Sequence, residues 1–260
     1  MFQIRTALLL IVALPVAAQA HDDDHDHDNL ARLYTDGAMT CIASNGAPNH
    51  EMGEFPNRAN PNAFREQDLR FCFPTEPRMA SEITEALMTV GVSTTGVPIR
   101  PYTAGYYDPD GRRQISQDPS SGWRQQAMHN PRSLGMDSQN AHVDRSGLYH
   151  YHGVSSDFLA SQPGTLIGYA PDGFEIHYSR DTAHSSWALK PGTRPTTPHG
   201  EHDGSYEEDF EYVAGRGDLD ECNGRLVDGV YTYFATDTYP YFPRCFKGVV
   251  NPDFMTRGRR

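Results

Sequence analysis

The chain has 260 residues and a formal net charge of −12 at pH 7, with 37% hydrophobic residues, 23 glycines and 19 prolines. This charge excludes binding to nucleic acid or anionic membranes through a general electrostatic field, and it favours cationic partners such as metal ions. The length fits one domain of moderate size or two small ones, and the glycine and proline content indicates a loop-rich fold.

The first 20 residues have the pattern of a secretory signal peptide. Arg5 supplies a positive charge, residues 7–16 are apolar, and Ala18 and Ala20 form a small-x-small cleavage site. The apolar run is too short to span a membrane. We therefore expect residues 1–20 to be removed and the protein to be periplasmic or secreted, without a membrane span.

Residues 21–29 begin with HDDDHDHD, a run without a single apolar residue. This density of charge predicts a disordered tail. The tail could capture divalent metal, because His21 would offer an α-amine beside its imidazole once the signal is removed. The alternative is a solubilising tail that binds metal only weakly, since a flexible segment loses chain entropy when it binds.

The folded domain is expected over residues 30–250, followed by a frayed tail over residues 251–260. Residues 77–88 have the apolar spacing of a short helix, and residues 120–134 contain the best helix candidate, WRQQAMHNPRSL. Alternation and the content of Tyr, Val and Ile predict strands at 148–152, 166–169, 174–177 and 230–235. The predicted class is a mainly β, disulfide-held antiparallel domain with long loops and few short helices.

The chain contains four cysteines, and a secretory signal implies an oxidising compartment, which favours disulfides over free thiols. Proximity in the sequence favours the pairs Cys41–Cys72 and Cys222–Cys245, although spacing alone does not exclude crossed pairing. Each bridge would close a loop of roughly 25–35 residues, which stabilises the fold by about 3–4 kcal/mol in the chain-entropy description.

Residues 140–153 read NAHVDRSGLYHYHG. Side chains alternate along a strand, so His150 and His152 share one face and the two tyrosines share the other. A hairpin turn at residues 144–147 would bring His142 beside that pair. Three imidazoles with one open position are a familiar arrangement in catalytic zinc sites. The alternative is ordinary β patterning, with the histidines on a solvated face.

Residues 223–236, NGRLVDGVYTYFAT, repeat the pattern of residues 140–153 if one residue of gap is allowed. The asparagine, the turn glycine and the Tyr-x-Tyr pair align. The three histidines do not align, because the second copy has Arg225, Thr232 and Phe234 in their places. The shared scaffold does not need the histidines, which favours a site over a requirement of the fold.

With these motifs the chain resembles the YHYH proteins. The resemblance extends to CIASNGAPNHEMGEFPN (residues 41–57), IGYAPDGFEIHY (167–178) and the segment from DLDECNGR to PRCFKG (218–248). The resemblance identifies motifs of the family rather than an activity, and it implies that His50 is an accessory metal ligand. On sequence alone His50 is more simply a turn residue. Many relatives carry a histidine-containing strand in the last segment, which is absent here.

The favoured function is a periplasmic or secreted metal-binding protein with copper or zinc as the cofactor. The candidate metal ligands are His142, His150, His152 and His50. An alternative is a metal-dependent hydrolase or oxidoreductase that uses the same histidines on a small-molecule or glycan substrate. For that enzyme Glu175, Asp144 or His50 would be the candidate proton carriers, and spacing singles out none of them.

A third possibility needs no metal. In this hypothesis the disulfide-held domain binds glycans or proteins through aromatic residues such as Tyr239, Tyr241 and Phe242. The chain has no P-loop, dinucleotide-binding or Ser-His-Asp pattern, so nucleotide chemistry and serine hydrolysis are not expected.

Overall fold

The computed structural model describes residues 27–256. The expected signal at residues 1–20, the tail residues 21–26 and the last residues, 257–260, lie outside this range. Among the described residues, no helix has both the length and the apolar character needed to cross a membrane.

Short strands dominate the described range, which confirms the predicted β class. They are β1 (Arg32–Asp36), β2 (Met39–Ser44), β3 (Leu69–Pro74), β4 (Met79–Glu85), β5 (Gly91–Ser93), β6 (Pro98–Ile99), β7 (Tyr102–Tyr107), β8 (Ile115–Ser116), β9 (Arg124–Gln126), β10 (Ala141–Val143), β11 (Tyr149–Tyr151), β12 (Leu166–Tyr169), β13 (Glu175–Tyr178), β14 (Trp187–Leu189), β15 (Phe210–Tyr212), β16 (Gly224–Val227), β17 (Val230–Ala235) and β18 (Cys245–Gly248). Within residues 27–256 the α-helices are α1 (Ser156–Ser161) and α2 (Pro252–Thr256).

The central sheet has eight strands in the order β10-β11-β6-β5-β12-β13-β17-β16. In the middle of the sheet β5 and β12 are antiparallel, with Val92 opposite Tyr169. Two other neighbouring pairs, β11 with β6 and β13 with β17, are parallel. The other neighbouring pairs are antiparallel, so the sheet is mainly antiparallel, as the sequence predicted, with two parallel pairs. Smaller sheets, β1-β2-β3, β8-β7-β9, β14-β15 and β18-β4, complete the fold.

The strand order has the same pattern from either edge of the sheet, because the chain contains the same unit twice. Each unit consists of two hairpins. The second strand of one hairpin pairs in parallel with the tyrosine-containing strand of the other. In the first unit Ile99 of β6 is opposite Tyr151 of β11, and in the second Ile176 of β13 is opposite Tyr233 of β17. All four side chains are buried in one hydrophobic core. The repeat found in the sequence is therefore part of a larger structural duplication.

Both predicted disulfides are present. Cys41 and Cys72 are directly opposite each other on β2 and β3, and the Cys222–Cys245 bridge links the chain before β16 to the start of β18. The first bridge cross-links β2 and β3 of the three-stranded sheet, and the second connects the β16–β17 hairpin to β18. Each acts mainly by restricting the unfolded chain.

Both helix predictions are wrong. Residues 79–85 form β4, which pairs with β18, and residues 124–126 form β9, which pairs with β7. A single 3₁₀ turn at Pro131–Leu134 is the helical structure near the end of the second segment. Pairing with a distant strand overrode a helical apolar spacing that carries only a weak local preference.

The C-terminal segment also differs from the prediction of a frayed tail. The α2 helix begins at Pro252, and the Phe254 ring is buried against Phe71 with ring centroids 5.1 Å apart. The side-chain amide of Asn251 donates to the carbonyl of Cys72 at 2.7 Å. These contacts anchor the chain at least as far as Phe254.

Candidate metal centre

The β10–β11 hairpin brings the three motif histidines together. His142 lies directly opposite His150 in the strand register. The turn closes through hydrogen bonds from the Asp144 amide to the Leu148 carbonyl at 3.0 Å and from the Gly147 amide to the Asp144 carbonyl at 2.9 Å. Gly147 has a φ of +89°, a conformation that favours glycine. The predicted turn and the return of His142 are therefore present.

The Nε2 atoms of the three histidines lie close together. The Nε2 atom of His152 is 3.1 Å from the Nε2 atom of His142 and 3.1 Å from that of His150. The ligand nitrogens of all three residues lie within 4.8 Å of one another. Nitrogens bound tetrahedrally to one zinc ion at about 2.0–2.1 Å would be roughly 3.3–3.4 Å apart, so the spacing is close to that of a metal site.

The opposite ring nitrogen of each histidine faces a backbone carbonyl. His142 Nδ1 is 2.9 Å from the Leu134 oxygen, His150 Nδ1 is 3.1 Å from the Leu148 oxygen, and His152 Nδ1 is 3.4 Å from the Pro101 oxygen. A carbonyl oxygen can only accept, so each Nδ1 carries the proton in this arrangement. The Nε2 atoms then present lone pairs to the centre of the cluster.

Burial keeps these imidazoles neutral. His150 and His152 are almost fully buried, and desolvation lowers the pKa of both well below the usual value of histidine. Desolvation also lowers the pKa of the partly exposed His142. The positive charge of Arg100 adds to the effect on the pKa of His150 and His152. Neutral imidazole is the form that binds a metal ion.

With each ring proton on Nδ1, none of the three Nε2 atoms carries a proton that it could donate to another. Two Nε2 atoms 3.1 Å apart form a good hydrogen bond only if one of them carries a proton. Moving a proton to Nε2 would place an unprotonated Nδ1 against a carbonyl oxygen. A cation at the centre satisfies all three lone pairs at once, which is the chemistry this donor set is suited to perform.

A cavity of about 680 Å³ opens in front of the cluster, and all three histidines contribute to its wall. Its other walls come from residues near β7, from the turn that follows β10 and from Arg100. A metal ion on the histidines would thus have a side that faces the cavity rather than the core. No pattern in the sequence indicates the part of this wall that comes from distant segments.

The tyrosine face of the same strand is a buried structural network. The Tyr149 hydroxyl donates to Asp137 Oδ2 at 2.7 Å, and burial raises the pKa of Tyr149 well above its usual range. The Tyr151 hydroxyl lies 2.7 Å from His50 Nε2. His50 is therefore on the opposite face of β11 from the histidine cluster, and its Nε2 atom is taken up by Tyr151. The structure does not bring the fourth predicted ligand to the other three.

The second hairpin reproduces this network without the histidines. The Tyr231 hydroxyl donates to Asp220 Oδ2 at 2.8 Å, which matches the contact between Tyr149 and Asp137. The Tyr233 hydroxyl donates to Asp172 at 2.6 Å, so Asp172 takes the place that His50 has in the first unit. Aligning Asp-x-x-Asn at residues 137–140 and 220–223 would have extended the sequence repeat to both aspartates.

The other sequence candidates lie elsewhere. Glu175 accepts from His177 at 2.6 Å on β13, in the second unit, and neither residue belongs to the cluster. The aromatic residues considered for glycan binding do not form an exposed platform. Tyr239 and Phe242 are buried, and the Tyr239 ring stacks on Phe210 with centroids 3.7 Å apart.

The fold and the site define a mainly β protein in which one of two equivalent hairpins carries a buried three-histidine cluster. The profile of a family described as "YHYH protein" matches residues 70–248, more than half of the chain. The chain therefore belongs to the YHYH family. No curated protein and no solved structure matches the chain.

Proposed function

We propose that this YHYH protein binds one divalent transition metal ion, copper or zinc, through the Nε2 atoms of His142, His150 and His152. The observation that carries the proposal is the convergence of three neutral imidazole nitrogens whose Nδ1 atoms all face carbonyls. An all-nitrogen donor set suits zinc and copper and does not suit magnesium or calcium, which prefer oxygen ligands.

The setting supports metal binding outside the cytosol. Two disulfides are compatible with a periplasmic or secreted protein, as is the signal pattern at the start of the sequence. A net charge of −12 favours the attraction of cations to the protein. We therefore favour a metal-binding protein of the periplasm or the extracellular space.

The test exploits the second hairpin as an internal control. His150→Thr and His152→Phe together install the residues found at the equivalent positions of β17. The double variant should keep its fold, since Thr232 and Phe234 occupy the same scaffold, and should lose tight binding of zinc and copper. Both proteins should carry His21→Gln, His25→Gln and His27→Gln, so that residues 21–28 cannot supply imidazoles.

Metal content is measured by elemental analysis after dialysis, and affinity by competition with a chelator. Fold is monitored by near-ultraviolet circular dichroism. A matched control, His177→Gln, removes a histidine of β13 outside the cluster and should bind one ion as the parent does. A parent protein that binds no ion, or a folded double variant that still binds one tightly, would refute the proposal.

A further inference from the structure

The lining of the cavity in front of the histidine cluster has a net positive charge, although the chain as a whole is acidic. Among the described residues that line it, the charged ones are Arg100, Arg145 and Asp144. The lining thus has one more positive than negative charge before any metal ion is bound, although the chain as a whole carries −12. A divalent ion on the histidines would raise the local positive charge further.

Arg100 is held at this wall by the fold. It follows β6 directly, and its amide donates to the Tyr151 carbonyl at 2.8 Å. Because side chains alternate along a strand, Arg100 points to the face opposite Ile99, which is the face that carries His150 and His152. The next residue, Pro101, supplies the carbonyl that faces His152 Nδ1. Arg100 is therefore built into the same corner of the molecule as the metal ligands.

The guanidinium of Arg100 is buried, and Thr89 and Asp144 help to orient it. Its Nε donates to Thr89 Oγ1 at 3.1 Å, and its Nη1 donates to Asp144 Oδ2 at 3.0 Å. The Arg100 side chain is only 7% exposed. Asp144 is the one carboxylate among the described lining residues, and its other oxygen accepts from the Ser146 amide in the hairpin turn. The buried guanidinium is therefore a fixed positive charge in this wall.

The remaining wall is suited to an organic molecule rather than to a bare inorganic ion. The cavity volume of about 680 Å³ is far larger than one small oxyanion requires, and it falls in the range of small-molecule sites. Apolar side chains such as Met88, Ile115 and Leu134 line it together with the amides of Gln117 and Gln125. This mixture can bury an uncharged body while the two positive centres hold an anionic group.

We infer that the cavity binds a small organic carboxylate, whose carboxylate group takes the open position of the metal ion while Arg100 stabilises its negative charge. This inference rests on the proposed metal site. It adds a ligand class and a residue, Arg100, whose role is to bind that ligand rather than the metal. Asp144 competes with the ligand for Arg100 in the free protein.

The test uses the full chain loaded with cobalt(II), whose visible bands respond to a change of coordination. Benzoate, acetate and phosphate are titrated separately into the cobalt protein. Benzoate should perturb the bands and bind more tightly than acetate, because its ring can bury against the apolar wall. Phosphate as tight as benzoate would overturn the assignment to an organic ligand, since it would mean that the cavity selects an inorganic oxyanion.

Two variants with opposite expected effects test the role of Arg100. Arg100→Gln should weaken benzoate binding by roughly tenfold or more, because a charge-assisted hydrogen bond is lost. Asp144→Asn should strengthen it, because the amide oxygen can still accept from Ser146 while the internal competitor for Arg100 is removed. Arg132→Gln removes an equal charge from an exposed site outside the cavity wall and should change the benzoate affinity by less than about twofold.

The outcomes separate the two proposals. Failure of the parent to bind cobalt would refute the metal site itself. Cobalt binding without any response to benzoate would leave the metal site intact and overturn the carboxylate site. If Arg100→Gln misfolds, Asp144→Asn still decides, because weaker or unchanged benzoate binding in that variant contradicts the role given to Arg100.

Discussion

His142 and His150 face each other directly across the β10–β11 hairpin, and His152 completes the cluster from the end of the same strand. The pairing makes the hairpin register a determinant of the site. A slip of one residue would turn His150 and His152 to the tyrosine face. Changes that disturb the register should therefore weaken metal binding even if they touch no ligand.

The turn glycines of the two hairpins allow a matched test of this dependence. Gly147→Ala should destabilise the fold by about 1–3 kcal/mol and weaken zinc binding, because φ is +89° and an added Cβ would lie 2.7 Å from the Cβ of Arg65. Gly229→Ala, in the equivalent turn, meets no atom within 4 Å at a φ of +84°. It should cost about 1 kcal/mol and leave zinc affinity unchanged. Urea unfolding and chelator competition measure both effects, and equal zinc affinities in the two variants would contradict the argument.

The two aspartates that hold the tyrosine strands provide a second matched pair. Asp137→Asn and Asp220→Asn should each lower the free energy of unfolding by about 1–3 kcal/mol, because each weakens a partly buried hydrogen bond from a tyrosine hydroxyl. Only Asp137→Asn should also weaken zinc binding, since only its hairpin carries the histidines. Comparable losses of zinc affinity in both variants would argue against a local effect.

His50 can be tested as a structural residue. His50→Gln should leave the stoichiometry and affinity of zinc unchanged, because Nε2 of His50 is engaged with Tyr151 on the other face of β11. It should lower stability by about 1 kcal/mol through the altered hydrogen bond to that hydroxyl. Isothermal titration with zinc is the measurement, and a tenfold loss of affinity would restore His50 as a ligand.

The buried histidines should make the stability of the metal-free protein depend on pH. The folded-state pKa of His150 and His152 is lowered by desolvation, so below about pH 6.5 the unfolded chain binds more protons than the folded chain. The stability contribution of the neutral imidazoles is complete above that pH and is lost as the pH falls toward the folded-state pKa.

The measurement is the thermal midpoint of the metal-free protein between pH 8 and pH 5. The parent midpoint should fall more steeply than that of the His150→Thr, His152→Phe variant, which has two fewer histidines to charge. Parallel curves for the two proteins would show that these histidines do not control acid stability.

Much of the site followed from short-range rules. Alternation along a strand placed His150 and His152 on one face, and the glycine turn returned His142, because both features depend on residues within one hairpin. The compartment and the spacing of the cysteines led to both disulfides. The repeat at residues 223–236 separates the scaffold from the candidate site on the sequence alone, because it keeps the tyrosines and lacks the histidines.

The errors share a different cause. The segments containing β4 and β9 have helical apolar spacing, but each pairs with another strand. The partner of β4 is β18, which lies far away in the sequence, and the partner of β9 is β7, which lies across a loop. His50 was placed near the metal by its family context, although the face it reaches depends on how residues 45–60 fold over β11. Local periodicity contains no information on either point.

The sequence by itself determined the β class and a hairpin with three histidines on one side, because strand alternation and turn chemistry act over a few residues. It favoured the two disulfide pairs, and the structure decided between them and crossed pairing. The tertiary structure decided what makes those histidines a site. The carbonyls of Leu134 and Pro101 orient two of the rings, and Arg100 charges the wall of the cavity in front of them. These groups come from other segments of the chain, and only the packing of the duplicated sheet brings them within hydrogen-bonding distance of one hairpin.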